Sequence, residues 1–297
     1  MKPGSYVFSL VVPTIYRTAE VGALLESIAC QELKNFALGE IEVLVVDQNQ
    51  DGRLDAILKD YGARLSIKHL KIQPRGLSNA RNAGLAEAKG RFVAFPDDDC
   101  HYAPDTLEKV YGFFKETGNE FGLFIRAQDP LTKIDFLKYP SEQKLIRSPR
   151  DGNVFLGVSI SQFYSAEMLS KMGMFDEKFG IGGQWGSGEE TDFAIRCLKT
   201  GYPIQFRPDI LVCHPLVVSD NMERAKLRKY AVGFGALCRK QGLYGLMFLK
   251  ALKQMAGMFF FTLKFDLKSA ANCRVILSGR AEGFWKYGRT RDEKSPG

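Results

Sequence analysis

An α/β domain on a mainly parallel sheet, followed by a basic helical extension, is the fold that this sequence predicts. Three observations predict it. Apolar runs of strand length alternate with helix-period segments through the first hundred residues. Those runs stop at polar turns, Pro13–Arg17, Asp47–Asp51 and Asp97–Asp99. The charge then changes sign: residues 1–220 hold 25 Lys and Arg against 29 Asp and Glu, and residues 221–297 hold 16 against 5. We therefore expect a domain over 1–220 and a basic amphipathic helical region over 221–297.

The elements read in order. Tyr6–Val12 is a buried strand. Glu20–Ala29 carries Val21, Leu24, Leu25 and Ile28 at helical spacing. Ile41–Val46 is a β-branched strand closed by Asp47, Leu54–Tyr61 a short helix and Leu65–Ile72 a weaker strand. Ser78–Ala88 reads as a helix capped by Ser78. Arg91–Phe95 is a fourth strand. Further on, short strands are expected near Leu123–Ala127, Val154–Ser159 and Ile204–Phe206, with helices over Ser165–Met172 and Glu189–Thr200. The segment 180–188, Gly-Ile-Gly-Gly-Gln-Trp-Gly-Ser-Gly, reads as a flexible lid with one large aromatic.

Composition excludes several classes. With 45% hydrophobic and 25% charged residues, the chain is neither disordered nor collagen-like. Six cysteines without a CxxC pair read as reduced thiols, not as a disulfide frame or zinc site. Pro3 and Gly4 precede an apolar run too short for a secretory signal, and no stretch approaches the roughly 18 uncharged apolar residues of a membrane span. GxGxxG, GxxxxGK[ST] and GxSxG motifs are all missing, which sets aside dinucleotide, P-loop and α/β-hydrolase chemistry.

Ligands of parallel α/β sheets bind beyond the carboxyl ends of the strands. Asp97-Asp-Asp99 falls at such an end, where carboxylates at i and i+2 can grip a hard divalent cation. A solvated turn is the plainer alternative. Glu189-Glu-Thr-Asp192 opens a helix, where a carboxylate can act as a general base. Ser187 and Glu190 also have capping-box spacing, which explains one acid but not three. His214 is either a third metal ligand or a structural histidine, and His69 and His101 read as structural. Arg75 and Arg81, with the amides of a helix start, suit a phosphate edge; the alternative places Arg81 on a solvated face.

In order, Val12-Pro-Thr-Ile-Tyr-Arg17, Val45-Val-Asp47, Arg75-Gly-Leu-Ser-Asn-Ala-Arg-Asn-Ala-Gly84, Phe95-Pro-Asp-Asp-Asp99, Gly188-Glu-Glu-Thr-Asp192 with Arg196, and His214-Pro215 resemble the family-2 glycosyltransferases of the GT-A fold. The resemblance covers about residues 6–216. It implies a GT-A nucleotide-binding sandwich and an inverting transferase using a nucleotide-diphosphate sugar, UDP-linked. Pro13, Thr14, Arg17 and Asp47 would line the base and ribose pocket, and Arg75, Ser78 and Arg81 the rest of the donor site. Asp97 and Asp99 would hold Mg²⁺ or Mn²⁺ with His214, and Asp98 would lie near the ribose or donor sugar. Glu190 occupies the position of the base; the family's Glu-Asp is here Glu-Glu, so Glu189 and Asp192 stay open for a share in that role. The usual Asp-Asp-x-Ser is altered to Asp47-Gln-Asn-Gln-Asp51.

The tail adds a location. On one helix, Lys250, Lys253, Lys264 and Lys268 fall within about 60° at 100° per residue, opposite a broad face of Leu, Met and Phe. This reads as a helix lying in an anionic membrane interface, with Trp285 and Tyr287 at headgroup level. The expected setting is peripheral, at the cytoplasmic face, with a lipid-linked glycan acceptor in surface polysaccharide synthesis. The alternative packs the apolar face on the body or on a second copy. No nucleic-acid motif accompanies the basic residues, so nucleic acid is not an expected partner. Competing functions are a metal-dependent nucleotidyltransferase and a non-catalytic nucleotide-sugar-binding scaffold.

Overall fold

Tyr6–Thr14 is apolar on both faces because helices cover both sides, and it forms the central strand β1. Ile41–Asp47 (β2), Ser66–Lys71 (β3) and Gly90–Ala94 (β4) join it in parallel, in the order β3-β2-β1-β4. The register pairs Thr14 with Asp47, so both stand side by side at the carboxyl edge. Helices Ala19–Ala29 (α1), Asp55–Tyr61 (α2) and Leu77–Glu87 (α3) connect these strands. Val21, Leu24, Leu25 and Ile28 are buried as their spacing predicts. The computed structural model describes residues 6–73, 75–216 and 223–292. Pro3, Gly4 and the domain boundary expected near residue 220 lie outside the described residues.

Beyond β4 the sheet is mixed rather than parallel. The remaining strands are His101–Tyr102 (β5), Gly122–Gln128 (β6), Lys144–Ile146 (β7), Gln162–Ser165 (β8) and Ile204–Cys213 (β9). β8 runs antiparallel to both β4 and β6, and β6 pairs in parallel with β9. Two reversals restore the original direction, so His214, just after β9, emerges at the same edge as Asp47 and Asp97. Thr106–Thr117 (α4) and Ala166–Met172 (α5) complete the layers, with Ser165 Oγ accepting from the Met168 amide as an N-cap.

Three local expectations are corrected. Residues 154–159 form no strand: Gly152–Leu156 and Ser159–Ser161 are 3₁₀ turns, the first capped by the Asp151 side chain. Gly76, not Ser78, caps α3, because its φ of 151° is a conformation that a side chain disfavours. Lys268 does not share a helix with Lys250, Lys253 and Lys264. Phe265 turns to φ 57° and Asp266 Oδ1 accepts from the Ser269 amide, so one helix stops and another starts.

The chain divides into two compact units, Met1–Phe175 with Phe193–Leu216 and Asp176–Asp192 with Val217–Gly297. All described strands belong to the first. The second contains the glycine-rich segment expected in the body, the start of helix Glu189–Lys199 (α6), and helices Arg224–Gln241 (α7), Tyr244–Leu263 (α8) and Leu267–Asp292 (α9). Helices α7 and α9 meet through bare backbone. A Cβ on Gly235 would run into the Arg280 carbonyl, and one on Gly283 into the Val232 carbonyl.

Candidate active site

The carboxyl edge of the first unit gathers most of the expected residues. Asp97, Asp98 and Asp99 follow β4, and Arg17 follows β1. Arg17 Nη1 lies 2.7 Å from Asp98 Oδ1 and also pairs with Asp99 Oδ2. His214 Nε2 stands 2.9 Å from Asp99 Oδ1. Burial pushes the Asp98 carboxyl up, with Thr14 and Arg17 opposing. Burial also works to raise Asp99, but His214 and Arg17 outweigh it and hold that carboxyl down at about 2. Burial works to lower the His214 pKa, and Asp99 with Asp97 outweighs it, leaving it above its ordinary value. Asp97 pairs with Arg81 Nη2 at 3.1 Å. Arg81 is fully buried beside the Phe175 ring, so it lies on no solvated face. Ser78 is buried as well.

Two buried polar atoms at this edge lack an aligned hydrogen bond, Thr14 Oγ1 and Asp99 Oδ1. A buried polar atom in that state calls for a water, an ion or a catalytic role to explain it. The His214 ring explains part of it. Its Nδ1 lies 2.7 Å from the Pro215 carbonyl, an acceptor, so Nδ1 carries a proton. Neutral imidazole then presents the Nε2 lone pair to a carboxylate. That contact is favourable only when the ring is doubly protonated or a cation is shared. Nitrogen and oxygen donors of this kind suit Mn²⁺ or Mg²⁺, and ligands about 2.1 Å from an octahedral ion lie about 3 Å apart. The pair therefore fits a divalent cation. Among the described residues, no group of three or more His, Cys, Asp or Glu side chains is already drawn together as a metal centre.

Asp47 is buried at the strand end with both oxygens engaged. Oδ2 is 2.9 Å from His69 Nε2, and Oδ1 accepts from the Asn49 amide and side chain. Asp47 thus organises its loop. Asn49 Oδ1 in turn accepts from the Tyr16 amide at 2.8 Å. Tyr16 sits at φ 65°, 61% exposed, with the guanidinium carbons of Arg75 and Arg53 5.1 and 5.7 Å from its ring centroid. This flat cationic surface suits a planar, anionic ligand. Sequence reasoning missed Tyr16, Asn49, Arg53 and the role of His69. The altered Asp47-Gln-Asn-Gln run was the available signal. Gln48 Oε1 accepts from the Gly76 amide and fixes the start of α3. Phe136 packs edge-on against His214, centroids 5.2 Å apart, and Asp129 Oδ2 accepts from the Leu216 amide.

The acids at 189–192 belong to the second unit. Glu189 is buried and Glu190 half-buried, with Thr191 Oγ1 3.3 Å from Glu190 Oε1. Asp192 is fully buried; its Oδ1 accepts from Gln241 Nε2 at 2.6 Å and lies 2.8 Å from Lys240 Nζ. Ser187 Oγ donates to the Tyr230 carbonyl. Trp185 is buried against Tyr287 and near Phe179, so it anchors its segment instead of forming an open lid.

Solved structures share this fold, that of GT-A glycosyltransferases. Staphylococcus aureus TarS 1–349 in complex with UDP-GlcNAc matches with a TM-score of 0.62 at 20% identity, over 99% of this chain and 92% of that one. The mannosyltransferase PcManGT from Pyrobaculum calidifontis, in complex with GDP-Man and Mn²⁺, matches with a TM-score of 0.62 at 14% identity, over 96% and 89%. The chain belongs to glycosyl transferase family 2, whose model matches residues 9–173. Curated relatives include an uncharacterized glycosyltransferase of Haemophilus influenzae, 32% identical over 65% of this chain and 62% of the relative. The minor teichoic acid biosynthesis protein GgaB of Bacillus subtilis is 31% identical over 41% of this chain and 13% of its own. The chain matches less than two thirds of the length of either relative.

Proposed function

We propose that this glycosyltransferase is an inverting, metal-dependent enzyme that moves a hexosyl group from a UDP-sugar to a hydroxyl of a lipid-linked glycan. The observation that carries the reading is the convergence of Arg17 and His214 on the Asp99 carboxylate, at the carboxyl edge of parallel strands. Mg²⁺ or Mn²⁺ held by Asp97, Asp99 and His214 would neutralise the charge that gathers on the departing diphosphate. The chain's own residues supply the rest. Tyr16 with Arg53 and Arg75 offers a shelf for the base. Arg17, 41% exposed along its side chain, is free to turn from Asp98 and Asp99 towards the diphosphate. Glu190 takes the proton of the acceptor hydroxyl as its oxygen attacks the anomeric carbon and the bond to the diphosphate breaks. One displacement inverts that carbon. The TarS and PcManGT complexes, which hold sugar nucleotides, support the choice of donor class.

A panel of nucleotide sugars with Mn²⁺, read by thermal unfolding, tests this. The true donor at about a hundred times its Kd adds about 2.7 kcal/mol of stability, and EDTA removes the gain. A panel in which no nucleotide sugar shifts the melting temperature contradicts the reading.

We also propose that the enzyme works at an anionic membrane surface, the cytoplasmic face. Helix α8 buries no residue, and Tyr244, Phe248, Leu249, Leu252, Met255, Phe259, Phe260 and Leu263 are exposed along it. Among the described residues it is the one helix long and apolar enough to cross a bilayer. Lys250 and Lys253 sit in its middle, where a spanning helix disfavours charge, so an in-plane position is favoured. Their charge, with Lys264, complements anionic headgroups. Co-sedimentation with phosphatidylglycerol vesicles is the expected result, weakened by Phe248→Glu with Phe259→Glu and absent with neutral vesicles. Equal recovery without vesicles, together with concentration-dependent self-association, would instead assign the face to a second copy.

A further inference from the structure

We infer that Lys240 is the positioning residue of the acid-bearing segment 176–192, holding both of its ends with one ammonium group. The segment opens on Asp176 and closes on Asp192. Between them lie glycines at 180, 182, 183, 186 and 188, and four of these have φ between 73° and 90°. Backbone this glycine-rich loses much entropy when ordered and needs outside contacts to keep one shape. Lys240 of α7 supplies them. Its Nζ lies 2.7 Å from Asp176 Oδ2 and 2.8 Å from Asp192 Oδ1, and 4.8 Å from the centroid of the Phe179 ring. One cation thus meets the first residue of the segment, the last, and an aromatic between them.

Other contacts with the same helices are independent of it. Gln241 donates to Asp192 Oδ1, Ser187 to the Tyr230 carbonyl, and Trp185 packs on Tyr287. Gly233 leaves room for Ser187 and the Trp185 carbonyl, which a Cβ there would strike. Asp192 is fully buried, so its charge is spent on Lys240 and Gln241 and not on an acceptor. Glu189 and Glu190 share its helical turn, so fixing Asp192 fixes the direction in which Glu190 emerges. Exchanging a whole buried ion pair for apolar groups is often neutral, whereas removing one partner leaves the other charge buried and destabilises; here the pair also fixes the geometry of the segment. The base assignment of Glu190 rests on the function proposed above; the ordering of the segment by Lys240 does not.

The test uses the full chain with Lys240→Met, Lys240→Arg and Asp176→Asn. Misplacing a catalytic group by about 1 Å costs roughly a hundredfold in rate. Lys240→Met is expected to lower kcat by that factor, with KM for the nucleotide sugar within about twofold of wild type. Amide exchange across 177–191 should rise about tenfold, with β1–β4 unchanged. Lys240→Arg, which keeps the charge, restores most of kcat. Asp176→Asn cuts one contact and leaves Asp192 paired; with a side chain only 28% exposed but at the rim of the pair, it gives a smaller change of the same pattern and decides the matter if Lys240→Met fails to fold. Unchanged exchange in 177–191, or kcat and KM moving together, overturns the inference. Glu190→Gln with full activity would overturn the base assignment alone, since the exchange result does not depend on it.

Discussion

Asp99→Asn is expected to lower sugar transfer about a thousandfold with the fold intact. The amide keeps the shape of the side chain and loses its charge. One oxygen of Asp99 meets His214 and the other Arg17, so its carboxylate is the point where a histidine and an arginine converge. The effect should be read twice, as Mn²⁺-dependent transfer and as Mn²⁺ binding followed by electron paramagnetic resonance, and both should disappear. An Asp99→Asn enzyme that kept Mn²⁺-dependent transfer would remove Asp99 from the donor site. The linkage with pH has a definite sign. The folded carboxyl is held at about 2, below its ordinary 3.8, so its stabilisation is complete above the ordinary value and is lost as pH falls towards 2. In the Asp99→Asn variant the acid limb of the stability profile should lose that contribution, and His214, having lost the carboxylate that raises it most, should titrate at lower pH than in the wild type.

Glu190→Gln is expected to reduce kcat about a thousandfold, within the range for general-base removal, with donor affinity retained. Two neighbours serve as comparisons. Glu189 is buried, and Asp192 is enclosed by Lys240 and Gln241. Asp192→Asn should therefore register as reduced thermal stability, and Glu189→Gln as a smaller loss of rate. Rates measured across pH separate the three, because removing the true base abolishes the acidic limb of the kcat profile. A larger loss from Glu189→Gln than from Glu190→Gln would transfer the role to Glu189.

The parallel half of the sheet was legible because β1, β2 and β4 are uninterrupted apolar runs, each followed by an abrupt polar turn. Asp97–Asp99 and Arg17 could be assigned to one edge for the same reason, whereas His214 joined them only through the family resemblance. The mixed half was harder. In β9 the run Arg207-Pro-Asp209 interrupts the apolar pattern where the pairing register with β6 shifts, so only Ile204–Phe206 reads as strand. Residues 154–159 are apolar enough for a strand but are turned by the Asp151 cap. The contacts of His69 with Asp47 and of Tyr16 with Asn49 are tertiary: each joins residues far apart in the chain, which no local spacing reveals. Arg81 misled in the other direction, since a charged residue at a helix start gives no sign that it will be buried beside Phe175. The break at Phe265 hid behind a lysine periodicity that continues through it.

Helices α7 and α9 touch where Gly235 and Gly283 leave no space for even one methyl group. Every missense change at those two codons adds atoms, so this seam has no conservative replacement to drift through. The mutational latitude of the second unit should be least at this inner seam, where any added atom meets backbone. In a random-substitution library, inactive clones would concentrate at these glycines although neither stands among the acids of the proposed site.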